Sequence, residues 1–96
     1  MIVHIVMFKF KDENKKENLE QVKERLENLL NEIPTLKSME VGIDVNHSQR
    51  AMDLSLYSTF DDEEGLKTYA THPAHLEVVA FIKEVSIESK VVDYVL

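Results

Sequence analysis

The stretch Ile2-Val3-His4-Ile5-Val6-Met7-Phe8-Lys9-Phe10 decides the fold. It is rich in β-branched and aromatic residues, which suit a strand. Alternate side chains of a strand point to opposite faces. One face therefore carries His4, Val6, Phe8 and Phe10, and the other carries Val3, Ile5 and Met7. Both faces are apolar, so the strand needs a cover on each side.

The elements that follow supply one cover. Leu19, Val22, Leu26, Leu29, Leu30 and Ile33 recur at helical spacing, which predicts an amphipathic helix over residues 14–33. Asn14 and Glu17 form its expected capping box, and Pro34 stops it. Met39, Val41, Ile43 and Val45 alternate with polar residues as a second strand. The polar run 46–50, which holds His47, makes a turn, and residues 52–60 make a third strand. The acidic run 61–64 reads as a helix start, with Asp61 as cap and Glu64 as its partner. A calcium loop would need alternating oxygen ligands over a longer span. That helix reaches about residue 70, and Pro73 opens another to about residue 85. Leu76, Val78, Val79 and Ile82 are its expected buried stripe. Residues 88–96 form a last strand, again apolar on both faces.

The order is β-α-β-β-α-β, the ferredoxin-like α+β pattern with a four-stranded antiparallel sheet, in one domain spanning 1–96. Helices lie on one face of such a sheet. The other face is expected to expose Val3, Ile5, Met7, Val92, Tyr94 and Leu96. A patch of that kind marks an interface. A symmetric homodimer with two sheets packed face to face, a dimeric α+β barrel, closes it. The other closure is a final strand that folds back as the cover.

Composition narrows the function. The chain has 96 residues, no cysteine and a formal net charge of −7. Zero cysteine excludes disulfides, a thiol nucleophile and cysteine-based metal sites. The negative charge argues against nucleic acid. The apolar run at the start is too short to span a membrane, and Lys9 closes it. A cytoplasmic location is the expected default.

The residues suited to chemistry are His4 and the string Tyr69-Ala70-Thr71-His72-Pro73-Ala74-His75. If His4 points toward the helices, it can meet Tyr69 and His75 in a mostly apolar cavity, with Val6 and Phe8 on the same side. Histidine exchanges a proton near neutrality, and a tyrosine hydroxyl can hold a developing oxyanion. The pair suits proton abstraction beside a carbonyl, with no metal and no cofactor. The structural alternative is that these side chains satisfy core hydrogen bonds, with His72 shaping the junction before Pro73.

These strings resemble the stress-responsive A/B barrel domain family. The resemblance rests on residues 3–11, on Ile33-Pro34 leading to Val41-Gly42-Ile43-Asp44-Val45, on Tyr69 to His75, and on Val92-Asp93-Tyr94. It implies the dimeric barrel fold. One plant member is a cofactor-free polyketide cyclase. Its working Tyr and His fall on Tyr69 and His75, and a cavity histidine falls on His4. Leu26, Leu54 and His72 are further expected cavity residues. It differs at Val22, Lys23 and Leu26, where the cyclase has aromatic residues on the first helix. It differs again at Leu54, in place of a histidine, and at Ser86, in place of a tryptophan. These departures argue against the same substrate, and leave open a different small ligand or no turnover at all.

Three functions follow as expectations. The first is a homodimer that binds a small apolar or carbonyl compound and performs acid–base chemistry on it. The second is a non-catalytic stress-response or structural dimer. The third is a monooxygenase-like or haem-related member of the wider barrel group.

Overall fold

The computed structural model describes residues 1–96. The elements are β1 (Ile2–Phe10), α1 (Lys15–Asn28), β2 (Ser38–Ile43), β3 (Leu54–Phe60), α2 (Glu63–Thr71), α3 (Pro73–Val85) and β4 (Ser86–Val95). A single 3₁₀ turn, Leu29–Asn31, follows α1. The sheet order is β2-β3-β1-β4, and every pairing is antiparallel. This is the split βαβ arrangement expected from the sequence. No helix is long and apolar enough to cross a membrane.

The parity of β1 divides the molecule. Ile2, Phe8 and Phe10 join Leu54, Leu56 and Phe60 of β3 in the core, under Leu19, Val22 and Leu26 of α1 and Val78, Ile82 and Val85 of α3. On the open face Ile5 lies directly between Tyr57 and Val92, and Met7 between Ser55 and Lys90. Met7, Val92, Tyr94 and Leu96 are exposed as expected, Tyr57 joins them, and Ile5 is half-buried among them. Val3 is not: it is 0% exposed, between Thr59 and Tyr94 on the flanking strands.

Several local expectations shift. Asn14 adopts a left-handed conformation (φ 50°) and makes no side-chain cap bond. Asparagine tolerates that region, so it turns the chain into the helix without capping it. The helix regularises at Lys15 and tightens after Asn28, where Glu32 and Ile33 both donate to the Leu29 carbonyl at 3.0 Å. Leu30 is thereby exposed. The cap of α2 is Asp62, not Asp61; its Oδ1 accepts from the Gly65 N–H at 2.8 Å. A run of four acids leaves that register open, and Asp61 instead pairs with Lys37. Leu76 is 52% exposed, and Val85 takes its place in the buried stripe of α3.

β2 ends at Ile43 and β3 starts at Leu54, inside the expected limits. Asp53 explains the latter. Its carboxylate accepts the Phe10 N–H at 2.7 Å and pairs with Lys15, so a side chain replaces a backbone partner there.

One departure bears on the site. The helices leave β4 uncovered on their own side as well. Val91 and Val95, which share that side with Asp93, are exposed. A gap between α3 and β4 opens beside them.

Candidate functional site

The break between α2 and α3 builds the site. A residue before proline favours an extended backbone, and His72 has φ −64° and ψ 135°. It ends α2 and caps α3 in one position. Its Nδ1 accepts the Ala74 N–H at 3.0 Å, and its own N–H donates to the Tyr69 carbonyl. Pro73 occupies the first turn of α3, where a missing N–H costs nothing. The turn sets the last turn of α2 against the first turn of α3. Tyr69 and His75 meet there, with ring centroids 4.2 Å apart.

Tyr69 is 1% exposed and packs on Phe60 at 5.1 Å. Its hydroxyl is buried and has no hydrogen-bond partner. Burial pushes the phenol well above its usual range, so it remains a neutral donor. An unpaired buried hydroxyl costs about 1–3 kcal/mol. A ligand oxygen would recover that cost.

His75 is half-buried. Its Nδ1 lies 3.1 Å from the Ala70 carbonyl. A carbonyl only accepts, so Nδ1 carries the proton and Nε2 keeps a lone pair. Burial lowers its pKa below the ordinary 6.5; the Ala70 contact opposes this, and His4 and His72 add to it. The ring is therefore a neutral base at pH 7.

His4 reaches the same place from the sheet. Its ring lies 6.3 Å from Tyr69 and 6.5 Å from Phe60, in edge-to-face fashion. Its Nδ1 hydrogen-bonds the carboxylate of Asp93, its direct partner across the β1–β4 ladder. Sequence reasoning alone does not mark Asp93 as a site residue. The available signal was its parity: it is the one charged residue between Val91 and Val95 on the helix side of β4.

His4, Tyr69 and His75 line a cavity of about 170 Å³ between sheet and helices. Val6, Phe8, Leu26, Leu56, Val79 and Ile82 form its apolar walls. Lys83, Ser86 and Ser89 complete it. An apolar cavity of about 150 Å³ is enough to hold benzene. Of the expected cavity residues, His4, Val6, Phe8, Leu26, Tyr69 and His75 are present. Leu54 and His72 are not. Leu54 packs in the core beside Phe8, one alternate position beyond Leu56. His72 spends its Nδ1 on the cap of α3. No cluster of three or more His, Asp or Glu side chains is placed to hold a metal ion.

The chain is similar to known proteins over most of its length. A stress-response A/B barrel domain-containing protein of Arabidopsis thaliana is 32% identical over 80 residues, covering 80% of this chain and 69% of that protein. Olivetolic acid cyclase of Cannabis sativa is 31% identical over 77 residues, covering 78% of this chain and 76% of the cyclase. The crystal structure of a dimeric protein of unknown function and ferredoxin-like fold from Bacteroides fragilis superposes with a TM-score of 0.89 at 34% identity. That match covers 97% of this chain and 93% of the other. The family model of the stress responsive A/B barrel domain matches residues 2–96. The chain belongs to the stress-responsive A/B barrel domain family.

Proposed function

We propose that this chain forms one such domain and works as a homodimer, each copy binding a small carbonyl compound for cofactor-independent acid–base chemistry. The observation that carries the reading is the buried, unpartnered Tyr69 hydroxyl beside a neutral His75. A carbonyl oxygen accepts from that hydroxyl. His75 Nε2 takes a proton from the adjacent carbon, and the C–H electron pair becomes the enolate, with its charge on the oxygen that Tyr69 holds. The enolate then regains a proton or attacks a second carbonyl. His4, tethered by Asp93, supplies a further polar group to the cavity. Similarity to a cyclase supports this class of chemistry.

The dimer rests on the open face. Ile5, Met7, Tyr57, Val92 and Tyr94 form an apolar surface that no element of the chain covers. Burying each large apolar side chain gains about 1.5–3 kcal/mol. The similar Bacteroides fragilis protein is described as dimeric.

Proton abstraction is tested without knowing the natural substrate. Single-ring aryl methyl ketones are incubated with the protein in D₂O, and loss of the methyl proton signal is followed by NMR. The expected result is faster exchange with the protein than without it, abolished by His75→Ala. Ketones that neither shift the cavity resonances nor exchange would overturn the reading.

A further inference from the structure

The cavity has two polar ends, and only one belongs to the chemistry above. Register and rise place them apart. On β1, His4 and Phe8 are four residues distant, or about 13 Å of strand. Ser89 lies directly opposite Phe8, whereas Asp93 lies opposite His4. On α3, His75 and Lys83 are eight residues distant, or about 12 Å of helix. His75 and His4 both approach Tyr69. Lys83 and Ser86 therefore sit with Ser89 at the far end, between the last turn of α3 and the start of β4.

Lys83 is the one cation of the cavity lining, and it enters none of the chain's ion pairs. The carboxylate of Glu88, close in sequence, is taken by Lys90. A lysine near a helix C-terminus also complements the helix dipole, but that does not require it to line a cavity. The chain carries a net charge of −7, so its overall field repels anions. An anionic ligand needs a local cation to be held at all.

We propose that the ligand is a small carboxylate with one ring or an equivalent apolar middle, its carbonyl at Tyr69 and its carboxylate at Lys83 and the Ser86 and Ser89 hydroxyls. This rests on the reading of the cavity as a carbonyl-binding site and names the substrate class. The apolar walls between the two ends fit the middle, and the lysine and hydroxyls provide donors for the carboxylate. Lys83 then determines specificity at a distance from the reacting carbon.

The test compares 4-acetylbenzoate with 4-methylacetophenone, which replaces the carboxylate by a methyl group and keeps the ketone. Affinities are measured by calorimetry on the intact protein. The expected result is a preference of about tenfold for the carboxylate, shrinking as salt rises. Lys83→Met should reduce the preference to about threefold or less, and Lys83→Arg should restore most of it. Lys83 is exposed, so both variants should fold, which an amide NMR spectrum checks. Equal binding of the two probes, or a preference that survives Lys83→Met, overturns the assignment of Lys83 while leaving the carbonyl site standing. Binding of neither probe overturns the carbonyl site, and this inference with it.

Discussion

Tyr69 and His75 stand on different helices, yet their rings are 4.2 Å apart because one extended residue, His72, separates those helices. Neither side chain spends its reactive atom on the protein. The hydroxyl has no partner, and the imidazole uses Nδ1 and leaves Nε2 free. A core that served stability alone would pair the buried hydroxyl.

That makes Tyr69→Phe informative. Deleting an unsatisfied buried hydroxyl should leave stability unchanged or raise it by about 1 kcal/mol. The exchange rate of a bound ketone should fall by about 10²-fold or more, as for loss of an oxyanion donor. Urea midpoints and NMR exchange rates check the two halves. A clear loss of stability would mean that the hydroxyl has a partner in solution.

The cap at the break has its own consequence. His72→Ala removes the acceptor for the Ala74 N–H and should cost about 1 kcal/mol in chemical denaturation. His72→Asn, which can accept the same bond, should recover most of it. Both variants keep Tyr69 and His75, so a fall in exchange rate in His72→Ala alone would measure how far the cap positions the pair.

His75 should respond to pH in a defined direction. Its folded pKa is lowered, chiefly by burial. As pH falls below the unfolded value near 6.5, the unfolded chain binds the proton first. This contribution is therefore fully present above that value and is lost as pH falls through the folded pKa. Ring-proton NMR should show His75 titrating below the ordinary histidine value of 6.5. Proton abstraction should rise with pH through the same midpoint and level off near neutrality.

The sequence is most legible where periodicity decides. Alternation in residues 2–10 assigns the two faces of β1, and with them the side on which His4 meets the helices. Pro73 marks the break that pairs Tyr69 with His75. What the sequence leaves open depends on register or on competition between equivalent residues. Asp61 and Asp62 are chemically interchangeable in the sequence, and only the structure shows that Asp62 accepts the Gly65 N–H while Asp61 pairs with Lys37. Asp93 becomes a partner of His4 only once the β1–β4 ladder is aligned. Leu54 and Leu56 share a face, and only Leu56 lines the cavity. Lys83 reads as a helix-end lysine until the gap beside β4 is seen.

The open face supplies the last prediction. Val92 lies opposite Ile5 and is 51% exposed, so changing it disturbs one protomer little. In a homodimer closed across this face, Val92 is buried against the partner sheet. Val92→Glu would then place a carboxylate in an apolar interface on both sides of the symmetry axis, and removing such a charge from water costs several kcal/mol. Light scattering should give twice the 11.1 kDa chain mass for the natural sequence and a single chain mass for Val92→Glu at micromolar concentration. Circular dichroism should show the variant's helices intact. The cavity lies on the opposite side of the sheet, between β1 and the helices, so a monomeric Val92→Glu that still binds the ketone would separate ligand binding from assembly. Loss of binding on dissociation would instead make the second copy part of what holds β4, and therefore the cavity mouth, in place.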